Sequence, residues 1–277
     1  MLTLQTLETI QKRVKLSSGV ELPYVEQGDP AGVPVIFLHG ITDSWHSFEP
    51  VLPHLPGSVH VFALSQRGHG DADCPETGYH PRDFAADLAA FMDALELGPA
   101  VIAGHSMGST IAQRFALDYP GCTRGLVLIG SCPTFRGNAG LVELWEVAVS
   151  QLEDPIDPDF VREFQESTLA QPVPPAFLDT VVQESLKLPA RVWRAVLLQA
   201  LLEADFSVEL GKITAPTLIV WGDQDGLVSR HEQEALLAAI AGSQLVVYRG
   251  AGHAEEPERF AADLVAFTEN FTKAGRG

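Results

Sequence analysis

Short, wholly apolar runs recur along the chain, and longer stretches with apolar residues at helical spacing lie between them. A strand with no polar face must be covered on both sides, and intervening helices supply the cover. The pattern therefore predicts a mostly parallel sheet with helices on both faces. The clearest run is Val33–Leu38; others follow at Val59–Leu64, Ala100–Ala103, Gly125–Ile129, Thr217–Trp221 and Gln244–Tyr248. Arg13–Lys15 and Leu22–Glu26, turning at Ser17-Ser18-Gly19, read as an earlier hairpin, which brings the sheet to eight strands. Pro81–Leu97 carries Phe84, Leu88, Phe91, Met92 and Leu95 as one stripe, and Ser106–Asp118, Arg230–Ala241 and Glu255–Asn270 also read as helices.

The rhythm breaks between Thr134 and Lys212. Helical patterns at Ala139–Leu152, Asp159–Leu169, Ala176–Leu186 and Ala190–Ala204 follow one another there with no strand between them, punctuated by prolines such as Pro155, Pro158 and Pro189. The expected organisation is an α/β core from residues 1–133 and 213–277, with an all-helical insertion at 134–212.

Composition excludes several functions. Hydrophobic residues make up 46% of the chain, enough for a large core, and the formal charge of −18 repels phosphate backbones and anionic membrane surfaces. Nucleic acid and membrane are not expected partners. Cys74, Cys122 and Cys132 have no metal-ligand spacing and form no disulfide framework. The first twenty residues lack the charged and apolar regions of an export signal, and no run approaches membrane-spanning length, so a soluble cytoplasmic protein is expected, monomer or homodimer.

The chemistry concentrates at Gly104-His105-Ser106-Met107-Gly108, a G-x-S-x-G pattern between an apolar strand and a helical stretch. Glycines there permit a sharp strand-to-helix turn that lifts the serine hydroxyl above the sheet, at a helix N-terminus suited to an oxyanion. A serine needs a base to become a nucleophile, and the base needs a carboxylate to orient it. His253 is the candidate base: it follows the last strand in Gly250-Ala251-Gly252-His253, on the sheet edge that also carries Ser106. His54, His60, His80 and His231 read as solvent-facing, and His39 and His69 as residues of glycine-rich turns. Asp223 and Asp225 both follow the strand Thr217–Trp221. Asp223 suits a turn role, and Asp225, further out, is preferred as the acid.

These motifs, with His39-Gly40-Ile41, Arg67-Gly68-His69-Gly70 and Gly222-Asp223-Gln224-Asp225, give the chain a resemblance to the α/β-hydrolase superfamily from about Arg13 to the last helix. The resemblance implies an oxyanion hole made by the backbone N–H groups of Ile41 and Met107, and a cap formed by residues 134–212. Ser106 stands where epoxide hydrolases and haloalkane dehalogenases carry an aspartate, and the insertion has none of the tyrosines that epoxide hydrolases use. Ile41-Thr42 and Ala254 depart from the small residues and the aromatic residue of the carbon–carbon bond hydrolases. Cofactor-free perhydrolases and haloperoxidases share the triad, and Trp45 resembles an aromatic residue near their oxyanion loop. Enol-lactonases are similar too, and some ligand-sensing members keep the triad without turnover.

Hydrolysis of a small, largely apolar carboxylic ester or lactone is the main expectation, with no metal or organic cofactor. The insertion offers Phe135, Leu144, Trp145, Phe164, Phe177, Trp193 and Leu197 for packing or for lining a cleft. Trp45, Trp145, Leu227 and Val228 are the candidate substrate contacts.

Overall fold

The structure, a computed structural model, describes residues 10–253 and 256–273. Strands β1 (Ile10–Lys15) and β2 (Glu21–Gln27) pair antiparallel, followed by β3 (Pro34–Leu38), β4 (His60–Leu64), α1 (Pro81–Ala94), β5 (Ala100–His105), α2 (Met107–Asp118) and β6 (Thr123–Ile129). Four helices then intervene: α3 (Ala139–Val147), α4 (Pro158–Ser167), α5 (Pro175–Leu186) and α6 (Ala190–Ala195). The sheet resumes with β7 (Thr217–Gly222), α7 (Arg230–Ala239) and β8 (Gln244–Tyr248), and α8 (Pro257–Lys273) closes the described chain.

The eight strands form one sheet in the order β1-β2-β4-β3-β5-β6-β7-β8. β2 pairs antiparallel with β4, and every pairing from β4 through β8 is parallel. The mostly parallel, eight-stranded sheet expected from the apolar runs is therefore present. Alternation along the strands feeds two apolar clusters. Ile36, Leu38 and Ile102 face one that includes α1 and α2, whereas Val35, Phe37 and Val101 face the other, beside α8. Strands buried on both faces have no polar side, which is why they read as unbroken apolar runs.

From β3 the chain first adds β4 on one side and then returns to add β5 on the other. Loops leaving adjacent strands in opposite directions open a crevice at the strands' C-terminal ends, the usual ligand position in an open parallel sheet. Here that crevice lies between the loop after β3 and the turn after β5.

Several boundaries differ from the sequence expectation. The helix expected over Ala190–Ala204 ends as α6 at Ala195 and continues as a π-helical stretch, Val196–Leu202. The helix expected to reach Leu152 stops at Val147, and the last helix opens at Pro257; Ala254 and Glu255 lie outside the described residues. His60, expected to face solvent, is buried, and its ring bonds Glu26 at 2.8 Å. The turn after β4 is anchored to α1 through Arg67, whose Nε and Nη2 donate to Asp87 at 2.6 Å each, both side chains being buried. No helix among the described residues is long and apolar enough to cross a membrane.

Candidate active site

β5 ends at His105 and α2 begins at Met107, so Ser106 alone makes the turn between them. Its backbone sits at φ 51° and ψ −118°, a strained conformation for a residue with a side chain. The flanking glycines make it possible. A Cβ on Gly104 would come within 2.2 Å of the Gly108 carbonyl oxygen, and one on Gly108 within 2.1 Å of the Leu38 carbonyl oxygen. The elbow is held from below: Ser106 N–H donates to Ile129 at 2.9 Å, and Ser109 Oγ donates to the Ser106 carbonyl at 2.6 Å.

Met107 occupies the first turn of α2, where a backbone N–H has no acceptor within its own helix. Ile41 lies on the loop after β3. A methyl group on Gly40, its neighbour, would stand 3.4 Å from Ser106 Cβ and 3.2 Å from His105 Nδ1, so this loop runs directly beside the elbow.

Asp225 and His253 are brought together across the ends of β7 and β8. Asp225 Oδ2 lies 2.7 Å from His253 Nδ1, and Asp225 Oδ1 accepts from the N–H groups of Leu227 at 2.8 Å and Val228 at 3.1 Å. Burial raises the Asp225 carboxyl, but the His253 hydrogen bond and the two backbone donors outweigh it and hold the group below its ordinary value. Asp223 is engaged elsewhere: its Oδ1 accepts from Gly250 N–H at 2.7 Å, fixing the loop that leads to His253. His105 Nε2 donates to the His253 carbonyl at 3.1 Å, and burial beside His253 lowers its ring to about 3, so His105 is neutral. With Nδ1 on Asp225, the imidazole of His253 leaves Nε2 buried and without a hydrogen-bond partner.

Ser106 and His253 line one cavity of about 530 Å³, a volume typical of small-molecule sites. Its walls come from the loop after β3 (Ile41, Asp43, Phe48), from α4 and α5 (Phe164, Phe177, Val181) and from the end of β8 (Tyr248). Phe164 and Phe177 thus face the cavity, whereas Phe135, Trp193 and Leu197 are buried in the core and Leu144 packs against it.

None of the four expected substrate contacts lines the cavity. Trp45 is buried in the apolar cluster with Phe48 and Val51 and stacks on His46, because the turn it opens presses its ring against the sheet. Trp145 packs from α3 onto the core cluster. Leu227 and Val228 touch the site through their backbones, holding Asp225, and the Val228 carbonyl accepts from Trp221 Nε1 at 2.9 Å.

Two cavity groups escape a reading of the sequence. The one signal for Asp43 is its place two residues after the His39-Gly40-Ile41 motif. Gln165 carries no sequence signal; only the packing of α4 brings its Nε2 to 3.0 Å from Asp43 Oδ1. Among the described residues, no group of three or more His, Cys, Asp or Glu side chains is placed to hold a metal ion.

Residues 35–263 match the Alpha/beta hydrolase family. The 2-(acetamidomethylene)succinate hydrolase of Mesorhizobium japonicum is 30% identical over 259 residues, covering 88% of each chain. The non-heme chloroperoxidase of Streptomyces lividans is 28% identical over 280 residues, covering 93% of this chain and 99% of that protein. The esterase EaEST from Exiguobacterium antarcticum superimposes with a TM-score of 0.84 at 26% identity, covering 94% of this chain and all of that one. The sheet order, the strained serine elbow and the extent of these matches lead to one conclusion: the chain belongs to the alpha/beta hydrolase family.

Proposed function

We propose that the protein is a serine hydrolase that cleaves a carboxylic ester or lactone of a small, largely apolar substrate through an acyl-enzyme. The observation that carries this reading is the His253 imidazole: its Nδ1 is fixed on Asp225, and its unpartnered Nε2 is buried in the wall that also holds Ser106. Ser106 Oγ attacks the carbonyl carbon and its proton passes to His253 Nε2. The C–O bond to the alcohol breaks and the departing oxygen takes that proton. Water then attacks the acyl-enzyme, gives a proton to Nε2, and the acid leaves as the proton returns to Ser106. Asp225 holds the imidazole in the tautomer that presents Nε2 as acceptor and stabilises its cation. The N–H groups of Met107 and Ile41 stabilise the oxyanion, each by about 3 kcal/mol.

The likeness to an esterase supports the ester reading, and the chloroperoxidase relative keeps a second chemistry in view. The test is hydrolysis of p-nitrophenyl acetate and butyrate by wild type, Ser106→Ala, Asp225→Asn and Asp223→Asn. Ser106→Ala should lose at least about 10³-fold in kcat/KM. Asp225→Asn should lose about 10⁴-fold in kcat through the wrong imidazole tautomer, and Asp223→Asn far less. Equal rates for wild type and Ser106→Ala would defeat the proposal. Peracid formation from acetate and hydrogen peroxide exceeding ester hydrolysis would favour the peroxide chemistry instead.

A further inference from the structure

We propose that the cavity selects its substrate by charge, accepting a neutral or cationic acyl group and rejecting an anionic one, with Asp43 as the binding residue that faces the cation. The proposal rests on the hydrolytic reading above and names the substrate class for that site.

The described residues that line the cavity include the carboxylates Asp43, Glu256 and Glu258, and among them there is no Lys or Arg. Glu256 and Glu258 are exposed at the mouth; Asp43 is within, on the wall shared with Ser106. Its place is fixed from the helices above. Gln165 Nε2 donates to Asp43 Oδ1 at 3.0 Å and to Ser185 Oγ at 2.9 Å, and Ser185 Oγ lies 3.3 Å from Thr42 Oγ1. This clamp holds the half-buried Asp43 carboxylate on the cavity wall. When ionised, a carboxylate held there is stabilised by a cation that arrives with the substrate.

The same cavity also holds a buried polar group at its reacting end. His253 is 6% exposed, and its Nε2 has no partner. Phe48, Phe164 and Phe177 supply aromatic wall to the same cavity, and aromatic faces attract cations as well as apolar groups. An anionic acyl chain meets the opposite conditions, losing water to face a carboxylate of its own sign.

The experiment compares three p-nitrophenyl esters of matched shape: γ-trimethylammoniobutyrate, its isostere with carbon in place of nitrogen, and the glutarate half-ester. Each is measured in mildly alkaline buffer with wild type and Asp43→Asn, subtracting the rate with Ser106→Ala. Asparagine keeps the acceptor for Gln165 and removes the charge, so a change in ratio reports charge rather than lost packing. In wild type the anionic ester should be at least about tenfold poorer in kcat/KM than the neutral one. In Asp43→Asn the cationic-to-neutral ratio should fall about tenfold. An anionic ester turned over as well as the neutral one, or a ratio unchanged by Asp43→Asn, overturns the proposal.

Calorimetric binding of the three corresponding methyl ketones to Ser106→Ala needs no turnover. If no ester is hydrolysed, the hydrolytic reading fails, and the order of ketone affinities still decides this one. Tighter binding of the cationic ketone than of 5-oxohexanoate supports it; equal, reversed or undetectable binding of all three sinks it.

Discussion

Burial pushes the Asp43 carboxyl up to about 6, against the Gln165 hydrogen bond and the neighbouring His253 imidazole. A preference for cationic esters belongs to the ionised form, so it is present above about 6 and lost as pH falls through that value. Any general loss of activity in acid is common to both substrates and cancels in the ratio of their kcat/KM values. Other titratable groups face the same space. His105 is neutral for the reason given above, Glu256 and Glu258 stand at the mouth, and His54 lines the wall from the turn after β3. The expected outcome is that the cationic-to-neutral ratio falls on acidification in wild type and stays flat in Asp43→Asn. A ratio that still falls in Asp43→Asn would refute the prediction. Ser106 and His253 were legible as candidates because each stands just beyond a strand, where local pattern fixes position. The role of Asp43 was not, since its clamp, Gln165, reaches it from a distant helix.

Strand ends set the distances between these residues, and the end of β6 is the tightest case. Gly130 follows Ile129 at φ 53°, and a Cβ there would stand 2.7 Å from His253 Cε1 and 2.8 Å from Nδ1. The imidazole has little room to retreat, because Nδ1 is bonded to Asp225 and the His105 ring lies 4.9 Å away. Gly130→Ala should therefore misplace His253 and lower kcat/KM by at least about 100-fold. The backbone cost of a side chain in this left-handed region is smaller, about 1–2 kcal/mol. Far-UV circular dichroism would verify that the fold persists; activity within a few-fold of wild type would show that the ring can move aside. The sequence marks where β6 stops, but not that the His253 loop lies over that point, because the pairing joins segments far apart in the chain. The same limit explains why the four expected substrate contacts lie off the cavity wall. Aromatic or apolar character near a motif does not reveal which way an element turns, and Trp45 turns toward the sheet while Leu227 and Val228 serve Asp225.

At the scale of the whole molecule, the helices between β6 and β7 share the core of the sheet. Val182, Trp193, Val196 and Leu197 belong to the same buried cluster as Ile36, Met107 and Leu128. Trp193 is 1% exposed, lies edge-on to Phe164, and donates its indole N–H to the Ser185 carbonyl at 3.3 Å. Ser185 in turn contacts Gln165 and Thr42, so one set of contacts joins the insertion, the cavity wall and the loop after β3. Exposing such a cluster on the insertion side alone would strip apolar surface from the sheet side as well, at about 25 cal/mol for each Å² uncovered. The insertion should accordingly unfold with the sheet. Trp193 in α6 and Trp221 in β7 provide a probe on each side, with the other tryptophans replaced by phenylalanine. In urea, single-tryptophan variants retaining one or the other are expected to report the same midpoint once corrected for the stability of each background. A Trp193 transition at clearly lower urea would mean that the helices form a separable lid. The cavity would then be a feature of the closed lid, and the charge selection argued for Asp43 would depend on closure, since its clamp comes from α4.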